Sequence, residues 1–256
     1  MSRLPAIFVS HGSPMLALDA GETGVFWHEL GASLPRPQAV LCVSAHWMTD
    51  IPAASLAERP ETIHDFYGFP APMYEIRYPA PGAPRLARRA AELVAQAGLP
   101  VGLDPEYGLD HGAWVPLRLI YPEADMPVTQ LAIQPRRDAR WHYELGKALA
   151  PLREEGVLVL ASGGATHNLR DMNRGGGTTP KWARDFDDWL AATIAADDTE
   201  ALLDWQQRAP NAAHAHPSDE HFLPIFVAMG AGGRGERIHA GFTNGTLSMA
   251  AFEFDA

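Results

Sequence analysis

Three histidines stand just past short apolar runs: His11 in Phe8-Val9-Ser10-His11-Gly12, His46 in Val43-Ser44-Ala45-His46-Trp47, and His167 in Leu160-Ala161-Ser162-Gly163-Gly164-Ala165-Thr166-His167. Each apolar run reads as a β-strand, and in parallel α/β sheets the carboxyl ends of the strands open onto one crevice where ligands bind. Three imidazoles delivered to one crevice can hold Zn, Fe, Cu or Ni and leave coordination positions free for substrate. Taken singly, each histidine reads first as a polar residue closing a strand, and it is the three together that bring the metal reading level with it. Small neighbours (Gly12, Ser13, Ser44, Gly163 and Gly164) permit the close backbone approach that a metal pocket uses.

Two further segments carry candidate groups. Leu109-Asp110-His111-Gly112-Ala113-Trp114 sets a carboxylate beside an imidazole, with His111 either an acid/base or a loop histidine against Trp114. His214-Ala215-His216-Pro217-Ser218-Asp219-Glu220-His221 places three histidines and two acids before an apolar run, and either Glu220 or His221 is able to complete a metal site. The acids also suit the N-terminus of a helix, with Ser218 or Asp219 as cap. Ile63-His64-Asp65-Phe66-Tyr67-Gly68-Phe69-Pro70 offers aromatic faces for a pocket wall or for core packing. Arg170 and Arg174 are candidates to receive a substrate carboxylate. His28, His142 and His239 fall in helical or strand patterns without companions and read as structural. A serine nucleophile finds no Gly-x-Ser-x-Gly elbow.

The elements that must position these groups follow from periodicity. Strands are expected at Ala6 to Val9, Ala39 to Ser44, Pro127 to Ile133, Val157 to Ala161 and Leu247 to Phe254. Helices are expected around Gly24 to Gly31, from Pro84 to Ala97 before Gly98, from an Asp138 cap to Leu152, after Thr179-Pro180, and from His221 to Met229. Gly175 to Gly177 and Gly230 to Gly235 read as loops. The alternation predicts an α/β fold, a single layered domain over 1–256 with a central, mostly parallel sheet flanked by helices. No linker or repeat divides it.

Composition narrows the function. With 20 Lys and Arg against 31 Asp and Glu in 256 residues, the net charge is −11, and no basic cluster offers a face to nucleic acid or anionic lipid. Cys42, the one cysteine, lies in an apolar run and reads as a buried, inert thiol. The expected setting is cytoplasmic, since Ala6 to Val9 is too short for a signal-peptide core and no stretch approaches a membrane span.

Six ordered segments together resemble the 4,5-DOPA extradiol dioxygenase family of the class III extradiol ring-cleaving enzymes: His11-Gly12-Ser13-Pro14-Met15, Ser44-Ala45-His46-Trp47, Ile63-His64-Asp65-Phe66, Asp110-His111-Gly112-x-Trp114, His167-Asn168-Leu169-Arg170 and Glu220-His221-Phe222-Leu223-Pro224. The resemblance implies one divalent non-haem metal held by His11, His46 and His221, with His167 a fourth ligand or an acid/base. It implies Fe(II) for oxygen chemistry, although an all-histidine set also suits Zn(II). The expected partners are a small aromatic diol and O2, with His167 and His111 handling protons and His64 and Phe66 touching substrate. Two competing readings use the same histidines: a zinc hydrolase and a non-catalytic metal-binding protein.

Overall fold

A computed structural model describes residues 3–173, 175 and 177–255; Arg174 and Gly176 of the expected loop lie outside the described residues. Ten strands are present among them: β1 Ala6–Ser10, β2 Ala39–Ser44, β3 Ala53–Ser55, β4 Gly102–Asp104, β5 Val128–Gln130, β6 Val157–Gly163, β7 Gly235–His239, β8 Phe242–Thr243, β9 Leu247–Ser248 and β10 Ala251–Phe254. Six of these form the central sheet in the order β5-β2-β6-β1-β10-β7. The first four run parallel, and β10 and β7 extend the sheet antiparallel. The expected α/β class with a mostly parallel sheet is the one observed.

Alternate side chains along each central strand enter different cores. Phe8, Leu41, Val43, Val159 and Ala161 face the helices Pro84–Gln96, Ala139–Leu149 and Leu223–Gly232. Ile7, Val9, Val40, Cys42, Leu158 and Leu160 face the helices Gly21–Ser33 and His111–Ile120, which bring in Trp27 and Trp114. Strands buried on both faces read as continuous apolar runs, which is why they stood out in the sequence. Cys42 is fully buried, and burial pushes its thiol well above the ordinary range, as an inert core residue requires.

Several boundaries differ from expectation for identifiable reasons. The helix capped by Asp138 stops at Leu149 because Pro151 has no N–H to continue it and instead opens the short turn Pro151–Glu154. Pro180 is the cap rather than the first residue of the helix Lys181–Ala195. Gly230 to Gly232 are helical rather than loop. A Cβ on Gly230 would stand 2.1 Å from the Tyr143 carbonyl oxygen, and one on Gly232 would stand 2.3 Å from the Phe254 carbonyl oxygen, so Gly230 serves the close crossing of two helices and Gly232 the approach of β10. The expected strand Leu247 to Phe254 is split: β9 pairs with β8 in a separate hairpin, and only β10 joins the sheet.

His142 illustrates a histidine held by the fold. Its Nδ1 donates to the Asp138 carbonyl at 2.8 Å, and its Nε2 accepts the Gln134 N–H at 3.2 Å. A proton on Nε2 would face that N–H, and burial already lowers the pKa to about 4. The folded state therefore refuses a proton that the unfolded chain accepts below about pH 6.5, so this contribution is present at neutral pH and lost on acidification. We expect His142→Gln to reduce the loss of unfolding free energy between pH 7 and pH 4.5 by about 2 kcal/mol relative to the unmodified protein, measured by denaturant titration.

Candidate metal centre

The register of three neighbouring strands sets the site. Ser10 of β1 pairs with Gly163 of β6, and Ser44 of β2 pairs with Ser162 of β6, so the strands end level. The His11 N–H continues the ladder to the Gly163 carbonyl at 2.9 Å, and the Ala45 N–H does so to the Ser162 carbonyl at 3.0 Å. His11 and His46 thus leave the sheet side by side. His221 arrives from the other direction, on the turn before the helix Leu223–Gly232. Its carbonyl accepts the Gly164 N–H at 2.8 Å, and a Cβ on Gly163 would stand 2.1 Å from the same oxygen. Of the small residues expected to allow close approach, Gly163 is required by this packing and Gly12 by its φ of +60°.

His11, His46 and His221 each offer a nitrogen, and these atoms lie within 4.8 Å of one another. Each ring presents its Nδ1 to a different oxygen. His11 Nδ1 is 2.9 Å from Ser162 Oγ, which itself donates to the Gly112 carbonyl and is therefore left to accept. His46 Nδ1 lies 3.4 Å from Asp65 Oδ2, and His221 Nδ1 lies 2.9 Å from Glu220 Oε1. With the Nδ1 protons facing these acceptors, the Nε2 lone pairs turn inward, and those of His11 and His46 are 3.1 Å apart. A metal about 2.1 Å from each nitrogen would space two ligands by roughly 3.0 to 3.4 Å at bond angles of roughly 90 to 109°, so the donor set fits a divalent ion. Burial, reinforced by the neighbouring imidazoles, holds His11 and His221 well below the ordinary histidine range, and burial lowers His46 to about 3. These rings are neutral and able to donate lone pairs.

His167 lies outside that triad. Its ring stacks on His221 with centroids 3.4 Å apart and planes 9° from parallel, and its Nδ1 is 3.9 Å from Glu220 Oε1. Glu220 therefore stands behind two imidazoles. Burial lowers His167 to about 4.

His111 is not a loop residue; it opens the helix His111–Ile120. Asp110 is the cap, accepting the Ala113 N–H, and its carboxylate also accepts from Ser44 Oγ at 2.6 Å and from the Tyr107 hydroxyl at 3.2 Å. The carboxylate that meets His111 is Asp65, whose Oδ1 lies 3.0 Å from His111 Nδ1 and accepts the His111 backbone N–H at 3.0 Å. Burial would raise the Asp65 pKa, but His111 and then His46 beside it hold it down to about 2. One carboxylate thus stands beside both His46 and His111. Sequence reasoning noted Asp65 only as a polar group on an aromatic segment, because 19 or more residues separate it from either histidine in the chain.

These groups open into a cavity of about 290 Å³ whose walls include Phe66, Phe69, Leu169, Met172 and Leu247. Phe66 is on the wall as expected. His64 is not: its Nε2 lies 3.1 Å from the Ile76 carbonyl oxygen, and its ring packs among Phe66, Tyr74 and Trp114, behind the wall. His214 pairs with Asp171, and His216 is buried against Phe222 with Nε2 on the Ala165 carbonyl, so of that histidine-rich segment only His221 reaches the cavity. His239 stacks on Phe26 away from it. Arg170 is exposed and does not line it, and Arg174 lies outside the described residues.

A cluster of neutral imidazoles at the carboxyl edge of a parallel sheet, open to a cleft of small-ligand size, defines an α/β protein equipped to hold a metal ion. Residues 5–254 match the family described as the catalytic LigB subunit of aromatic ring-opening dioxygenase. A 4,5-DOPA dioxygenase extradiol of Beta vulgaris is 44% identical over 255 residues, covering 96% of this chain and 95% of that relative. The protein of the same name from Escherichia coli strain K12 is 41% identical over 260 residues, covering 98% and 95%. The crystal structure of an uncharacterized protein from Escherichia coli K12 superposes with a TM-score of 0.84 at 36% identity, over 98% of this chain and 100% of that one. The chain belongs to the LigB family and is an extradiol-type, aromatic ring-opening dioxygenase.

Replacing Asp65 by Asn removes the charge that faces both His46 and His111 while keeping the side-chain shape. We expect affinity for Fe(II) or Zn(II) to fall roughly 10- to 100-fold, as seen for lost partners of metal-bound histidines, measured by competition with a chromophoric chelator. Unchanged affinity would exclude a role for Asp65 in orienting His46.

Proposed function

We propose that this dioxygenase opens the ring of a DOPA-like catechol, using Fe(II) held by His11, His46 and His221, as one catalytic domain acting in the cytoplasm. The observation that carries the reading is the convergence of one nitrogen each from His11, His46 and His221 within 4.8 Å of one another, with an oxygen beside the Nδ1 of each ring. The names of the curated relatives support the substrate class. No helix among the described residues is long and apolar enough to cross a membrane.

Extradiol cleavage breaks the ring C–C bond beside the diol and places both atoms of O2 in the product. Bound Fe(II) supplies the redox-active centre at which diol and oxygen meet; Zn(II), which has no second redox state, does not. The chain's own task is to bind the ring, exclude water and move protons. Phe66 and Phe69 offer apolar faces to the aromatic ring. His167, neutral and stacked on His221 at the cavity wall, accepts the proton of a catechol hydroxyl, with Glu220 behind it to favour the charged form. His111, also on the wall and oriented by Asp65, returns a proton to oxygen as the O–O bond breaks.

Loading with Fe(II) under anaerobic conditions, followed by L-DOPA and O2, is expected to consume oxygen and to generate a yellow semialdehyde. The zinc-loaded protein is expected to do neither. Ester or amide hydrolysis without oxygen uptake would instead identify a hydrolase, and inertness toward both would leave a metal-binding protein. His111→Ala is expected to retain bound metal while turnover falls about 10²- to 10⁴-fold; loss of metal together with activity would place His111 among the ligands.

A further inference from the structure

His167 lies between β6 and the helix Lys181–Ala195 on a segment that is neither helix nor strand, so side chains must hold what no backbone ladder does. Its neighbour Thr166 is buried, and Thr166 Oγ1 donates to the Thr246 carbonyl at 2.7 Å and accepts the Ser248 N–H at 2.8 Å. Ser248 Oγ in turn donates to Asp187 Oδ1 at 2.6 Å, and Asp187 Oδ2 accepts from Arg237 Nη1 at 3.0 Å. We propose that Asp187, acting through Ser248 and Thr166, is a positioning residue for His167, so that this buried network aims the imidazole that takes the catechol proton. The inference rests on the reading of His167 as that base and adds what holds it in place.

Asp187 is 4% exposed, within the helix Lys181–Ala195, and its charge partner Arg237 stands on β7. Burying an ion pair costs desolvation that an apolar pair would not, so what the pair contributes here is direction. A carboxylate only accepts; the Ser248 hydroxyl must therefore donate to it, which leaves Ser248 Oγ to accept the Ala250 N–H at 3.1 Å. The Ser248 N–H is committed to Thr166 Oγ1, and the Thr166 hydroxyl to the Thr246 carbonyl. Donation runs in one sense through all of these groups, so a single arrangement satisfies them. Other ties hold the peptide groups around Thr166: the Ala165 N–H donates to Ser10 Oγ at 3.0 Å, the Ala165 carbonyl accepts from His216 Nε2 at 3.0 Å, and the His167 N–H donates to the Ala215 carbonyl at 2.9 Å. With the Thr166 side chain anchored as well, the segment neither slides nor turns without breaking a buried hydrogen bond. Thr246 and Ser248 also flank Leu247, which lines the metal cleft together with His167. The oxygens beside the Nδ1 atoms of His11, His46 and His221 come from Ser162, Asp65 and Glu220, outside this network, so turnover and metal binding separate.

Thr166→Val keeps the shape of the side chain and removes its hydroxyl, and Thr166→Ser restores the hydroxyl. With the Fe(II)-loaded protein and L-DOPA, kcat from oxygen uptake is expected to fall about 10- to 100-fold in Thr166→Val and to recover in Thr166→Ser, with Fe(II) affinity from chelator competition unchanged in both. Ser248→Ala and Asp187→Asn leave Thr166 intact, are expected to lower kcat by a smaller factor, and decide the matter if Thr166→Val does not fold. In a His167→Gln background Thr166→Val is expected to cost nothing further, because the group it positions is gone. Long-range proton–nitrogen NMR spectra of the metal-free, histidine-labelled protein give a readout without turnover: the His167 ring signals, assigned by their loss in His167→Gln, are expected to shift in Thr166→Val and Asp187→Asn while those of His142 stay in place. An equal fold loss in both backgrounds, loss of metal affinity along with turnover, or unmoved His167 signals would overturn the proposal. If the unmodified protein consumes no oxygen with L-DOPA, the catechol reading itself fails, and the spectra still decide whether Asp187 and Thr166 position the ring.

Discussion

The site depends on forcing neutral imidazoles together with their lone pairs inward. His11 and His46 bring Nε2 atoms to 3.1 Å, a spacing that two ligands of one ion would take, and burial lowers the pKa of both rings. The rest of the fold works to sustain that arrangement. Each ring is prevented from turning its Nδ1 inward by an oxygen behind it, and those oxygens come from a strand, a loop and the neighbouring residue of a turn: Ser162, Asp65 and Glu220. A divalent ion bound by this donor set would add its binding energy to the stability of the folded state.

The supporting oxygens are themselves tied down. Ser162 donates to the Gly112 carbonyl in the first turn of the His111 helix, and Ser44 donates to Asp110, the cap of the same helix. Ser44 and Ser162 are register partners on adjacent strands, so one rung of the sheet ties both His11 and His46 to the helix that delivers His111. Tyr107 reaches Asp110 as well, and its ring lies flat against Trp47 at 4.0 Å, next in the chain to His46. A displacement of the helix would therefore be felt at both His46 and His11. This gives a physical reason for small hydroxyl residues at strand ends: they fit beneath the imidazoles and still make two hydrogen bonds.

Two carboxylates are each shared between neighbouring imidazoles of the cluster. Asp65 serves His46 on one oxygen and His111 on the other, and Glu220 stands behind His221 and near His167. Charge on either carboxylate thus acts on two rings of the cavity wall together.

The sequence by itself determined the strands that end at His11 and His46, the strand that leads toward His167, the mostly parallel α/β class and the candidate set that includes His221. Those features rest on local periodicity and on apolar runs buried on both faces, which a linear pattern records. Boundaries went astray where a non-local contact overrode local preference, as at Gly230 to Gly232, whose helix is stabilised by its crossing against the Tyr143 segment. Only the tertiary structure decided that Asp65 rather than Asp110 faces His111, that His64 turns behind the wall, that Glu220 backs His221 and that His167 stacks rather than joining the triad. Each of those outcomes concerns the direction of a side chain across a gap between distant segments, and direction in space is set by packing and hydrogen bonding that no spacing of residues along the chain encodes.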